Sequence, residues 1–245
     1  MSEHCRSVTS RRILPLSILM ILLLCGSVRG EARRNVLRSL HTGHIDLSDW
    51  DFEDDRIASL DGAWEIYWRR LLTPRDFEST REQAGLGEAN GLFEMPGIWN
   101  DWPVPERGVG GIGFATFRTR VTLPAGMERG ALRLHPASTA YRLWANGRLI
   151  ADSGVPGRSA SETTPHYRVE TAPFTAPQNT LELVLQVSNF HHRRGGMWRP
   201  IELGTIELIE SKETLEVAYD LLLIGSFLGL ALYNLLTFRS AGRRG

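Results

Sequence analysis

The sequence predicts an all-β sandwich, preceded by an export signal and followed by one transmembrane α-helix. Three observations carry this. Between Glu31 and Glu210 apolar residues recur with period two rather than 3.6, the mark of half-buried strands. Eleven of the twelve prolines lie between Pro74 and Pro200 and all seven tryptophans between Trp50 and Trp198, a sandwich composition in which loops punctuate short strands. The eighteen residues Leu221–Phe238 contain neither a charge nor a proline.

The N-terminus has the layout of a signal peptide over residues 1–30. Arg6, Arg11 and Arg12 form a basic flank, and Ile13–Leu24 is an apolar core broken by Pro15 and Ser17, too short to span a bilayer. Val28 and Gly30 are small enough for a signal-peptidase pocket, which leaves Glu31 as the mature N-terminus. Lipidation at Cys25 is disfavoured because Leu24 stands where such signals carry a small residue. The Arg11-Arg12 pair after Ser10 is similar to a twin-arginine signal, but Pro15 favours ordinary secretion.

A lead-in over 31–46 precedes the β body, residues 47–210. Trp64, Ile66 and Trp68 alternate with Glu65, Tyr67 and Arg69, and Leu132 and Leu134 with Arg133 and His135; Leu181, Leu183 and Leu185 share one face. Asn146-Gly147 between YRLWA and RLIAD predicts a two-residue hairpin, because a type I′ turn needs positive φ at both positions. Trp64 and Trp144 are expected in the core. The polar stretches Glu78–Gly91 and Asp152–Pro165 are expected to be surface loops.

Residues 211–238 read as a juxtamembrane and transmembrane helix, and 239–245 as a short basic tail. Eighteen residues at 1.5 Å each give about 27 Å, enough to cross the hydrocarbon layer. Arg239, Arg243 and Arg244 follow the span and Glu210, Glu213, Glu216 and Asp220 precede it, so the positive-inside bias puts the C-terminus in the cytoplasm and the body outside. Asn234, Gly225 and Gly229 leave open a pairing with partner transmembrane helices. The short tail after the span is not expected to form a cytoplasmic signalling module. Glu210–Asp220 contains neither glycine nor proline, which predicts a rigid joint between body and membrane.

Composition excludes several classes of function. With 28 basic and 28 acidic side chains the chain lacks the cationic excess a nucleic-acid binder uses against phosphate. Both cysteines, Cys5 and Cys25, fall in the signal region, so no thiolate metal cluster or internal disulfide is expected in the body. No cofactor site is recognised. Adjacent His191 and His192 point to opposite faces of an extended chain, which argues against a shared metal ion.

The runs LDGAWEIYW (Leu60–Trp68), MPGIWN (Met95–Asn100), GFATFR (Gly113–Arg118) and AYRLWANGRLI (Ala140–Ile150) resemble the sugar-binding jelly-roll domain that opens family 2 glycoside hydrolases. VSNFHHRRGGMWRPIELG (Val187–Gly204) followed by a membrane helix resembles more closely the ectodomain and first helix of bacterial seven-transmembrane receptors with diverse intracellular signalling modules. The likeness covers roughly Leu47 to Phe238. It implies a galactose-binding-like jelly roll on the periplasmic side of a bacterial inner membrane. In that family seven helices lead to a kinase, cyclase or phosphatase. Six of those helices and the output module have no counterpart here, which suggests a truncated gene, a fragment or one half of a split receptor.

Candidate ligand-binding residues are Trp99, Asn100, Trp102, Asn189, His191, His192, Arg193 and Trp198. Indole faces stack on pyranose C–H surfaces, guanidinium forks grip carboxylate or phosphate, and imidazoles meet hydroxyls. Asp101 and Glu106 could orient sugar hydroxyls beside them. The competing reading of His191–Arg194 is a solvated turn relieved by Gly195-Gly196. No catalytic residues are assigned, because no acid pair of the kind glycoside hydrolysis needs is recognisable and Ser188 lacks nucleophile-elbow glycines. Three functions remain in view: a noncatalytic sensor for a small, carbohydrate-like ligand; a protein-docking module of a membrane complex; and a noncatalytic glycoside hydrolase remnant.

Overall fold

The computed structural model describes residues 43–53, 57–78, 88–102, 110–137 and 139–241. The expected signal peptide and most of the lead-in lie outside these residues, as does Glu106. The described body is a β-sandwich. Its larger sheet runs in the order β4 (Gly91–Met95), β3 (Gly62–Trp68), β6 (Gly113–Thr122), β11 (Thr180–Asn189), β8 (Ala140–Ala145), β9 (Arg148–Ser153), with β1 (His44–Asp46) parallel beside β6. The smaller sheet runs β10 (Glu170–Thr175), β7 (Arg129–Leu134), β13 (Glu202–Gly204), β2 (Ala58–Ser59). A two-residue ladder joins β12 (Gly196–Met197) to β5 (Gly97–Ile98).

The period-two reading locates the core. Leu181, Leu183 and Leu185 are fully buried between the sheets with Trp64, Ile66, Phe117, Leu132 and Leu134. The Asn146-Gly147 hairpin forms between β8 and β9 with φ of 46° and 80°. Two expectations change. Trp144 is half-buried on the outer face and not in the core, because Leu143 takes the inward position, with a register shift at Leu143/Trp144. Tyr67, expected outward, is buried because the outer face of this sheet is covered too. The short helix Pro74–Glu78 sets Phe77 edge-on against Tyr67 at 5.2 Å, and the backbone of Arg70 and Leu72 bonds to Thr116 and Gln186.

A 36-residue helix, Ile206–Ala241, leaves the smaller sheet. Its first turns lie on β7 and β13, where Ile209 is fully buried against Gly204. Every residue from Leu221 to Phe238 is exposed, and among the described residues this helix is long and apolar enough to cross a membrane. Ser226, Asn234 and Thr237 satisfy their side chains on carbonyls of the preceding turn, as polar groups on an apolar helix do.

Candidate functional site

The predicted recognition loop leaves β11 at Asn189 and rejoins the sheets at β12. Asn189 is fully buried and its amide organises the loop. Its Nδ2 donates to the carbonyls of Gly111 (2.7 Å), His192 (2.7 Å) and Arg194 (3.1 Å), and its Oδ1 accepts from the N–H groups of His191 (3.3 Å) and His192 (3.0 Å). Asn100 does the same from the neighbouring segment, donating to the Arg193 carbonyl at 2.9 Å and accepting from Gly195 N–H at 3.1 Å. Two amides therefore satisfy backbone groups that a turn without regular structure leaves open.

Trp99 departs from the ligand expectation. It is 2% exposed, in a single 3₁₀ turn, with its Nε1–H donated to the Gly111 carbonyl at 2.9 Å. Its ring lies edge-on to Trp68 at 5.3 Å and stacks over Phe117 at 6.2 Å. The indole is a floor for the loop and offers no face to a ligand. Asn189 is corrected in the same way: its donors and acceptors are consumed by backbone. Trp102 is half-buried against Phe93.

Glycines let the loop lie on this floor. A Cβ at Gly195 would stand 2.1 Å from Trp99 Nε1 and 2.3 Å from the Gly111 carbonyl oxygen, and one at Gly111 would stand 2.3 Å from the Arg193 carbonyl oxygen. Gly195→Ala is accordingly expected to cost about 1–3 kcal/mol through overpacking, read as a lower thermal midpoint.

His191, Arg193, Arg194 and Trp198 are brought to the surface together, with half-buried His192 tilted against the Trp198 ring at 4.6 Å. Trp198 is 38% exposed, and Ile98 and Ile112 beside the loop are 37% and 43% exposed. The arrangement presents one aromatic ring, two guanidinium groups and two imidazoles on a braced backbone. It can stack on an apolar face and donate to oxygens around it.

A second cluster, which the sequence pattern did not reveal, fastens the helix to the smaller sheet. Arg133 is 5% exposed beneath the helix and holds Glu216 in a two-pronged pair, with 3.0 and 2.6 Å contacts. Its Nε lies 3.6 Å from Glu213 and makes no hydrogen bond. Lys212 Nζ donates to both carboxylate oxygens of Glu202 at 2.6 and 2.7 Å, and Thr171 Oγ1 donates to Glu213. Alternation had placed Arg133 and His135 on the solvent face; the helix covers that face. The signal available in the sequence was the acidic series Glu210, Glu213, Glu216 ahead of the apolar span.

Hydrogen bonding to Arg133 holds Glu216 below the ordinary carboxylate value, and burial holds His135 below the ordinary imidazole value. In both cases the unfolded chain binds its proton first. Their contribution to stability is therefore present above the ordinary values of 6.5 and 4.5 and is lost as pH falls through the lower folded values. Urea unfolding midpoints are expected to fall on acidification through the imidazole range; through the carboxylate range amide exchange over residues 206–216 should quicken as the helix loosens, and Glu216→Gln should flatten that second response.

Among the described residues no group of three His, Cys, Asp or Glu side chains is arranged to hold a metal ion. No protein-family model matches the chain, and no curated protein matches it. Similar solved structures are glycoside hydrolases. An uncultured Clostridium sp. β-glucuronidase is 16% identical with a TM-score of 0.44, over 60% of this chain and 28% of that one. A Ruminococcus gnavus β-glucuronidase is 15% identical with a TM-score of 0.42, over 60% and 28%. A Faecalibacterium prausnitzii β-glucuronidase is 18% identical with a TM-score of 0.44, over 60% and 31%. This chain spans less than a third of the length of each enzyme.

Proposed function

We propose that the chain is the extracytoplasmic sensor domain of a bacterial membrane receptor of the seven-transmembrane type with diverse intracellular signalling modules. On this reading a galactose-binding-like jelly roll takes a small, carbohydrate-like ligand, and one helix anchors it in the inner membrane. The observation that carries the reading is the clamp of Arg133, Glu216, Glu213, Lys212 and Glu202. A domain merely tethered to a membrane has no need of a buried cation gripping the anchor helix, whereas a sensor needs strain in the sandwich to reach the span. The ligand surface is the braced loop, with Trp198 as stacking ring and His191, His192, Arg193 and half-buried Asn100 around it.

A second reading, docking on a partner protein, is favoured by one observation. Trp198 on the loop and Ile98, paired with Gly196, are both exposed, as is Ile112 beside Gly111, giving the loop an apolar border suited to a protein surface. The two separate by experiment. The full chain in lipid nanodiscs is titrated with sugars, uronic acids, polyols and amino acids, and its thermal midpoint followed. A ligand at a hundredfold its Kd adds about 2.7 kcal/mol, and Trp198→Ala is expected to abolish that shift without lowering the unliganded midpoint. If no compound moves the midpoint, the docking reading replaces the small-ligand one.

A further inference from the structure

The anchor helix defines which end of the sandwich faces the bilayer. It passes Gly204 at Ile209, Glu202 at Lys212, Thr171 at Glu213 and Arg133 at Glu216, and His135 lies within electrostatic reach of Glu216. It therefore runs toward the C-terminal end of β7 and the N-terminal end of β10. Two connections occupy that end: the one that leaves β7 through 135–137 and enters β8 at 139, and 154–169, joining β9 to β10. The long connection is folded down onto the short one. His166 N–H donates to the Thr139 carbonyl at 3.1 Å, Ser153 Oγ donates to the His166 carbonyl at 3.1 Å, and Val155 and Thr164 exchange backbone bonds.

From Glu213 to Leu221, where the apolar span starts, eight residues rise about 12 Å. From Thr171, which holds Glu213, back to Tyr167 is four residues, a reach of at most about 13 Å. Tyr167 precedes the N-terminal end of β10, the end toward which the helix runs, within that reach of the clamp. The connection at this end exposes apolar groups: Val155 is 41%, Tyr167 54% and Val169 46% exposed. The cation among them is already engaged, since Arg168 donates to Glu170 at 3.0 Å and to the Asp152 carbonyl at 2.9 Å.

We infer that Val155, Tyr167 and Val169 form a membrane-facing rim that seats in the headgroup layer of the bilayer crossed by the chain's own helix. The inference rests on the reading of Leu221–Phe238 as a span. A tyrosine flanked by aliphatic residues has the chemistry of the bilayer interface, an apolar body with a polar tip. With Arg168 paired internally, the contact does not require anionic lipid. A seated rim gives the sandwich a second point of attachment beside the clamp, so the domain rocks about the helix only by lifting this edge.

The test is depth-dependent quenching of the full chain in phosphatidylcholine nanodiscs. Single cysteines carrying a fluorophore are introduced by Tyr167→Cys, Val169→Cys, Arg148→Cys and Leu228→Cys, with Cys5→Ser and Cys25→Ser as background. Arg148 lies on the hairpin at the opposite end of β9, and Leu228 lies within the span. Headgroup spin-labelled lipid is expected to quench the labels at 167 and 169 about twofold or more over that at 148, and mid-chain labelled lipid to quench the label at 228. Quenching at 228 with equal signals at 167, 169 and 148 would overturn the rim, leave the anchored reading standing, and free that edge for a protein partner. Absence of quenching at 228 would overturn both.

Discussion

Trp99→Ala is expected to lower the unfolding free energy by about 3–5 kcal/mol, the usual range for emptying a buried tryptophan site. The indole is packed against Trp68 and Phe117, and the loop backbone at Gly195 lies directly on it. Its removal leaves a cavity under a glycine pair that has no side chains with which to fill it. Trp99→Phe should recover most of the packing. The hydrogen bond it loses costs only about 1 kcal/mol, because the Gly111 carbonyl keeps its bond from Asn189 Nδ2. Urea unfolding monitored by fluorescence and far-UV circular dichroism checks both values. An alanine variant of unchanged stability would return Trp99 to the ligand surface.

Arg133→Met should loosen the helix on the sandwich. Removing one partner of a buried pair costs about 3–5 kcal/mol, but the Glu213 and Glu216 side chains are 38% and 48% exposed and regain some hydration. A local cost of about 2–3 kcal/mol follows after that discount. The loss should appear as faster amide exchange over residues 206–216 with the sandwich midpoint little changed, since Lys212 still binds Glu202 and Ile209 stays buried. The double variant Arg133→Met/Glu216→Met removes both charges of the closest pair and should restore much of the protection. In a sensor, Arg133→Met keeps ligand binding at the loop and severs its effect on the span.

Strand positions were legible wherever one face of a strand meets the core. Leu181, Leu183 and Leu185 lie where alternation puts them, and Asn146-Gly147 turns as its φ demands require. Alternation misled wherever a second layer covers the outer face. Tyr67 is buried by Phe77 from the short helix, and Arg133 by the C-terminal helix. The short helix follows the strand of Tyr67 directly, but the C-terminal helix reaches Arg133 from 83 residues away. The site shows the same division. The His191–Trp198 stretch was recognisable as a polar, glycine-containing loop. Yet Asn189 and Trp99, ligand candidates by residue type, are the bracket and floor of that loop.

By itself the sequence determined the alternation that makes strands, the turn residues that close a hairpin and the apolar run that makes one long exposed helix. These are local properties, set by side-chain period and backbone preference over a few residues. Only the tertiary structure decided which polar residues face solvent and which serve backbone or helix. That choice depends on what packs on the outer face of each sheet, and the partners of Arg133 and Asn189 stand up to 83 and 78 residues away along the chain.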